Sequence, residues 1–92
     1  MSSKRNLFGI SRILSSLTSD DNPDRLRPLI RQIDFQDTSN LSKKELEHVI
    51  KARKHMDKMV KDKKITTKGI MNATDNLMSA SKSFWSFHSD DD

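Results

Sequence analysis

Residues 41–63 read LSKKELEHVIKARKHMDKMVKDK, and this stretch sets the fold class. Ser42 and Glu45 have the S-x-x-E spacing of a capping box, in which each side chain takes the other residue's backbone N–H. Leu41 before the cap and Leu46 after it are spaced as a hydrophobic staple. Beyond the cap, Leu46, Val49, Ile50, Ala52, Met56, Met59 and Val60 recur at intervals of three and four and mark one helical face. Lys51, Lys54, Lys58 and Lys61 mark the opposite face. The reading is a helix over about 42–63, some 30 Å long at about 1.5 Å per residue.

The segments on either side repeat the helical period. Leu7, Ile10, Ile13, Leu14 and Leu17 fall on one face of a segment over Lys4–Leu17. Ser19-Asp20-Asp21-Asn22-Pro23 interrupts it, and Asn22 before Pro23 is a helix start, because proline suits the first helical position. Leu26, Leu29, Ile30 and Ile33 continue that second segment. Pro28 within it predicts a kink or a late start near Arg27. Gln36–Asn40 reads as a loop. Ile65–Lys68 reads as a connection with Thr66 or Thr67 as cap. A last segment over about Gly69–Phe84 carries Ile70, Ala73, Thr74, Leu77, Met78, Ser81, Phe84 and Trp85 on one broad face. No stretch alternates apolar and polar residues long enough for a strand. The expected fold is all-α: a small bundle of three or four helices in one domain over 1–92, with residues 1–6 and 86–92 loosely held.

The core must be thin. The chain has 92 residues, of which 33% are hydrophobic, and a chain this short buries only about 60% of the surface it exposes when unfolded. Completion of the core by a homodimer or a protein partner fits that economy. With no cysteine, disulfides, thiolate metal sites and thiol nucleophiles are excluded, and a reducing intracellular setting, cytoplasmic or nucleoid/nuclear, is the default. The longest uncharged run, Ile13–Ser19, is far shorter than the ~20 apolar residues of a membrane span.

Enzyme chemistry has no visible constellation. There is no phosphate-binding glycine loop, no H-E-x-x-H and no nucleophile elbow. His48 and His55 are seven residues apart on one helix, two turns and too far to chelate one metal, and they read as solvated neighbours of the lysines. Glu45 and Glu47 belong to the helix start, where they complement its dipole. Asn72-Ala73-Thr74 matches a glycosylation sequon by chance in a chain with this intracellular character. No catalytic residue, metal or cofactor is expected.

Charge is the feature that speaks of function. The formal net charge is +4, but residues 43–68 hold ten Lys or Arg against four acids, a net of +6. The row Lys51, Lys54, Lys58 and Lys61, extended by Lys63 and Lys64, suits a polyanion such as a nucleic acid backbone. Arg53 alone represents arginine in the helix, so bidentate reading of guanine is weakly provided for, and contact with nucleic acid or a nucleoprotein would be non-specific. Two other readings compete. Phe84, Trp85 and Phe87 beside Asp90, Asp91 and Asp92 have the composition of a partner-binding segment, and that segment or the apolar stripe of the 42–63 helix would serve an adaptor or a viral or phage accessory factor. Residues 1–19 carry Lys4, Arg5 and Arg12 and no acid, a pattern suited to a membrane surface through residues 4–17 or to organelle targeting.

Leu41-Ser42-x-x-Glu45-Leu46, followed by Ala52 and His55, resembles the central helix of the Hha/YmoA family of bacterial nucleoid-associated modulators. Asp24-x-Leu26 and Ile30 can be laid on the helix before it. The resemblance implies a helical nucleoid modulator. It covers about a third of the chain, and two departures weaken it: Lys54 stands where the family has an acid before the histidine, and this chain continues for a further helix.

Overall fold

The computed structural model describes residues 3–18 and 22–82. Four α-helices account for most of them: α1 (Ser3–Ser15), α2 (Leu26–Asp34), α3 (Lys43–Lys61) and α4 (Thr67–Ala80). Short 3-10 turns at Pro23–Arg25 and Thr38–Asn40 lead into α2 and α3. No strand occurs among the described residues, and the protein is a small all-α bundle.

The helix starts follow local hydrogen bonding. The Ser42 N–H donates to Glu45 Oε1 at 2.8 Å, and the Glu45 N–H donates to Ser42 Oγ at 3.1 Å, so both halves of the capping box form. Asn22 caps the Pro23–Arg25 turn by accepting from the Asp24 N–H. α2 proper begins only at Leu26, the late start that Pro28 demands. Pro28 then lies in the first turn, where the backbone N–H groups have no intrahelical acceptor and a missing donor costs nothing. Thr66 caps α4 through the Gly69 N–H, and the helix begins at Thr67, two residues before the expected start at Gly69. Ser39 and Asp37 shape the turn before α3, with the Ser39 N–H and Oγ both donating to Asp37 Oδ1.

Each helix turns one apolar stripe inward. Leu7, Ile10, Leu14 and Leu17 meet Leu26, Leu29, Ile30 and Ile33 from α2, Val49, Ala52, Met56 and Met59 from α3, and Ile70, Ala73, Leu77 and Ala80 from α4. Consecutive helices are neighbours, and α4 is the best-embedded, packing on both α3 and α1. Leu41, Val60 and Ile65 close the edges half-buried.

Two stripe residues depart from expectation. Ile13 is 51% exposed, and Ser11, on the opposite flank of the stripe, is buried at 1%. The Ser11 hydroxyl donates to the Phe8 carbonyl at 2.6 Å, so its burial leaves no unpaired polar group. Ile50 is 49% exposed. It stands about 140° from the mean direction of Val49, Ala52, Met56 and Met59 at about 3.6 residues per turn, on the lysine side of α3. Val49, Ala52, Met56 and Met59 form the packed face without it.

Candidate nucleic-acid interface

α3 is held in place from both sides, and this orients its lysines. At its start, Lys4 Nζ of α1 lies 3.1 Å from Glu45 Oε2. Partial burial pushes the Glu45 carboxyl up, but the Ser42 N–H and the Lys4 ammonium outweigh it and hold the group below its ordinary value. Midway, the Arg53 guanidinium takes Asp34 of α2 in bidentate fashion, Nε to Oδ1 at 2.6 Å and Nη2 to Oδ2 at 3.0 Å. Its Nη1 donates to Asp57 at 2.9 Å. The hydrogen bond from Arg53 lowers the Asp34 pKa, and the same pair raises that of Arg53. On the α4 side, His48 Nδ1 lies 2.9 Å from Asn76 Oδ1, while Asn76 donates to the Asn72 carbonyl.

The two histidines are less solvated than expected, although His55 does neighbour Lys58, Lys64 and Lys68. Both are half-buried. His48 faces Asn76, and His55 lines a groove between α3 and α4 together with Asn72.

With the stripe packed inward, Lys51, Lys54, Lys58 and Lys61 are all exposed on the far face of α3. The row extends over about 15 Å. Asp62 is 3.5 Å from Lys58; no other lysine of the row has a carboxylate partner among the described residues. Lys63, Lys64 and Lys68 carry the positive charge around the turn into α4, all exposed. Lys63 adopts φ 55°, the left-handed conformation that lets the chain leave α3 without a glycine. Arg53 belongs to the bundle and not to this face, since its fork is occupied by Asp34 and Asp57. No group of three or more His, Cys, Asp or Glu suited to a metal is found among the described residues.

Of the competing sites, Phe84, Trp85 and Phe87 lie outside the described residues. The apolar stripe of α3, an expected partner surface, is taken up by the core. So is the apolar face of α1 that a membrane surface would need. No helix among the described residues is long and apolar enough to cross a membrane. Phe35, at the end of α2, is 80% exposed and was not singled out by the sequence pattern. Its position next to the predicted loop at Gln36 is the only signal that could have found it.

Comparison with known protein families, with characterised proteins and with solved structures finds no match. The resemblance of residues 41–55 to the Hha/YmoA family thus stands on a capped helix start, which backbone hydrogen bonding favours in unrelated helices.

Proposed function

We propose that this is a small non-enzymatic binding protein that contacts nucleic acid or a nucleoprotein, without sequence specificity, through the lysine face of α3. The observation that carries the reading is the exposed row Lys51, Lys54, Lys58 and Lys61, almost free of carboxylate partners among the described residues and continued by Lys63 and Lys64. A phosphate backbone supplies the missing anions, and the counterions it releases drive association. The commitment of Arg53 to Asp34 and Asp57 removes the one α3 side chain with the geometry for bidentate base recognition, which supports non-specific contact. Anisotropy titration of a mixed-sequence duplex and of a single-stranded RNA tests it. Four phosphate contacts give a salt slope of about −3.6 on duplex DNA, and changing the four lysines to Gln abolishes most of it. Absence of binding at low salt, or binding indifferent to the four changes, rules the reading out.

A second reading, a protein–protein adaptor, draws on Phe35. An aromatic ring this exposed beside a helix end is the kind of anchor that interfaces bury. Here Phe35→Ala, or deletion of residues 83–92, abolishes partner capture while the lysine changes leave it intact.

A further inference from the structure

Between the last turns of α3 and the first turn of α4 lies a groove of about 330 Å³, within the range of about 300–1,000 Å³ that small-ligand sites occupy. Its floor is apolar. Met59 lies there, 4% exposed, beside Gly69, where a Cβ would come within 2.7 Å of Met59 Sδ. Lys58, Lys64 and Lys68 stand around the floor. Among the described lining residues the one carboxylate, Asp62, already faces Lys58, so the groove holds a surplus of positive charge. Two half-buried polar side chains, His55 and Asn72, complete the lining. Neither the His55 ring nor the Asn72 amide has a hydrogen-bond partner among the described residues; Asn72 is engaged only through its carbonyl, by Asn76.

This combination narrows the ligand. A bare phosphate makes no use of the apolar floor, and an apolar ligand makes none of the lysines. A nucleotide uses both. Its base covers Met59, whose polarisable sulfur is favourable beside an aromatic ring, and stacks with the His55 imidazole. The Asn72 amide, donor and acceptor at once, meets the edge of any base. The phosphate takes Lys64 and Lys68. The base must be unpaired, because a base inside a duplex stays in the stack and cannot enter a side pocket. Lys58 belongs both to the groove and to the lysine row, so a strand lying along the row passes the groove.

We infer that the groove receives one unpaired nucleotide of a single strand, with its base on Met59 beside His55 and Asn72 and its phosphate on Lys64 and Lys68. The inference rests on the proposed nucleic-acid reading and narrows it to single strands. Charge alone favours the duplex, whose phosphates are denser and release more counterions per contact. A preference for the single strand therefore measures the groove and not the lysine row.

Anisotropy titrations of the 92-residue chain with a single strand and with a duplex of the same mixed sequence test it. The single strand binds about tenfold tighter, the order of one stacked base. His55→Ala and Asn72→Ala each weaken that binding several-fold and leave the duplex unchanged, because neither removes a lysine. Equal affinity for strand and duplex, or variants that weaken both alike, overturns the inference. Binding that still depends on Lys51, Lys54 and Lys61 then leaves the polyanion reading intact. A second readout needs no variant. Adenosine monophosphate added to the parent moves the Met59 methyl resonance upfield through the ring current of the base, and inorganic phosphate does not. No shift with the mononucleotide, or the same shift with phosphate, overturns the inference. If the mononucleotide moves Met59 while neither strand nor duplex binds, the nucleotide site stands as one for a free mononucleotide and the polyanion reading falls.

Discussion

Arg53 takes its role from the helix that lies beside it. On the helical wheel it lies at the edge of the apolar stripe, and that edge is where α2 brings Asp34. The pair is partly open to solvent, with side-chain exposures of 39% and 46%, so screening limits it to about 1 kcal/mol or less. Its pH dependence has a definite sign. The Asp34 pKa is lowered in the folded state, so its contribution is present above the unfolded value near 3.8 and is lost as pH falls through the folded one. Chemical denaturation of the parent and of Asp34→Asn should show a stability gap near neutral pH that closes toward acid and shrinks in high salt. A gap independent of pH would mean that Asn disturbs something other than the ion pair. Thr74 offers the reverse experiment. Its Oγ1 is buried without a hydrogen-bond partner among the described residues. Thr74→Val keeps the shape and removes the orphaned hydroxyl, and should raise stability by about 0.5–1 kcal/mol.

At the scale of the element, two helical glycines have opposite meanings. Gly9 lies within α1, and a Cβ built on it meets nothing within 4 Å. Gly9→Ala should stabilise by about 0.5–1 kcal/mol, the backbone entropy that glycine forfeits in a helix. A Cβ at Gly69 would come within 2.7 Å of Met59 Sδ and 2.8 Å of Thr66 Oγ1. Met59 can move, but Thr66 Oγ1 is the cap of α4, and displacing it forfeits about 1 kcal/mol. Overpacking costs a further ~1–3 kcal/mol, which exceeds the gain in propensity, so Gly69→Ala should lower stability by about 1–3 kcal/mol. Thermal melts of the two variants should move in opposite directions. These elements also show what the sequence made legible. The capping box at Ser42, the late start forced by Pro28 and the cap at Thr66 depend on residues within four positions of one another. The lysine face was legible for the same reason, since it follows from spacing along one helix. The groove, the Arg53–Asp34 pair and exposed Phe35 were not, because each depends on which helix lies alongside.

For the whole molecule, the lysine face is separable from stability. Its four residues are exposed and only Lys58 has a carboxylate partner among the described residues, so changing each to Gln should alter the unfolding free energy by no more than about 0.5 kcal/mol per residue. The same changes take the formal net charge from +4 to zero and lower solubility, so binding comparisons belong at low protein concentration. A large loss of stability would mean that the lysine stems cover part of the thin core.

The sequence by itself determined that the chain forms helices, where α3 begins and ends, and which face of it is basic. Spacing, caps and proline act over a few residues and need no partner. The tertiary structure decided what the flanks of each helix meet. Ser11 and Ile13 stand about 80° to either side of the mean direction of Leu7, Ile10, Leu14 and Leu17 at about 3.6 residues per turn, so the wheel treats them alike. Packing buried the serine, whose hydroxyl is satisfied by Phe8, and left the isoleucine outside. The opening stretch, residues 41–63, divides in the same way. Its start and its lysine row were fixed by local geometry. The withdrawal of Arg53 into an ion pair and the pairing of His48 with α4 came only when neighbouring helices supplied Asp34 and Asn76.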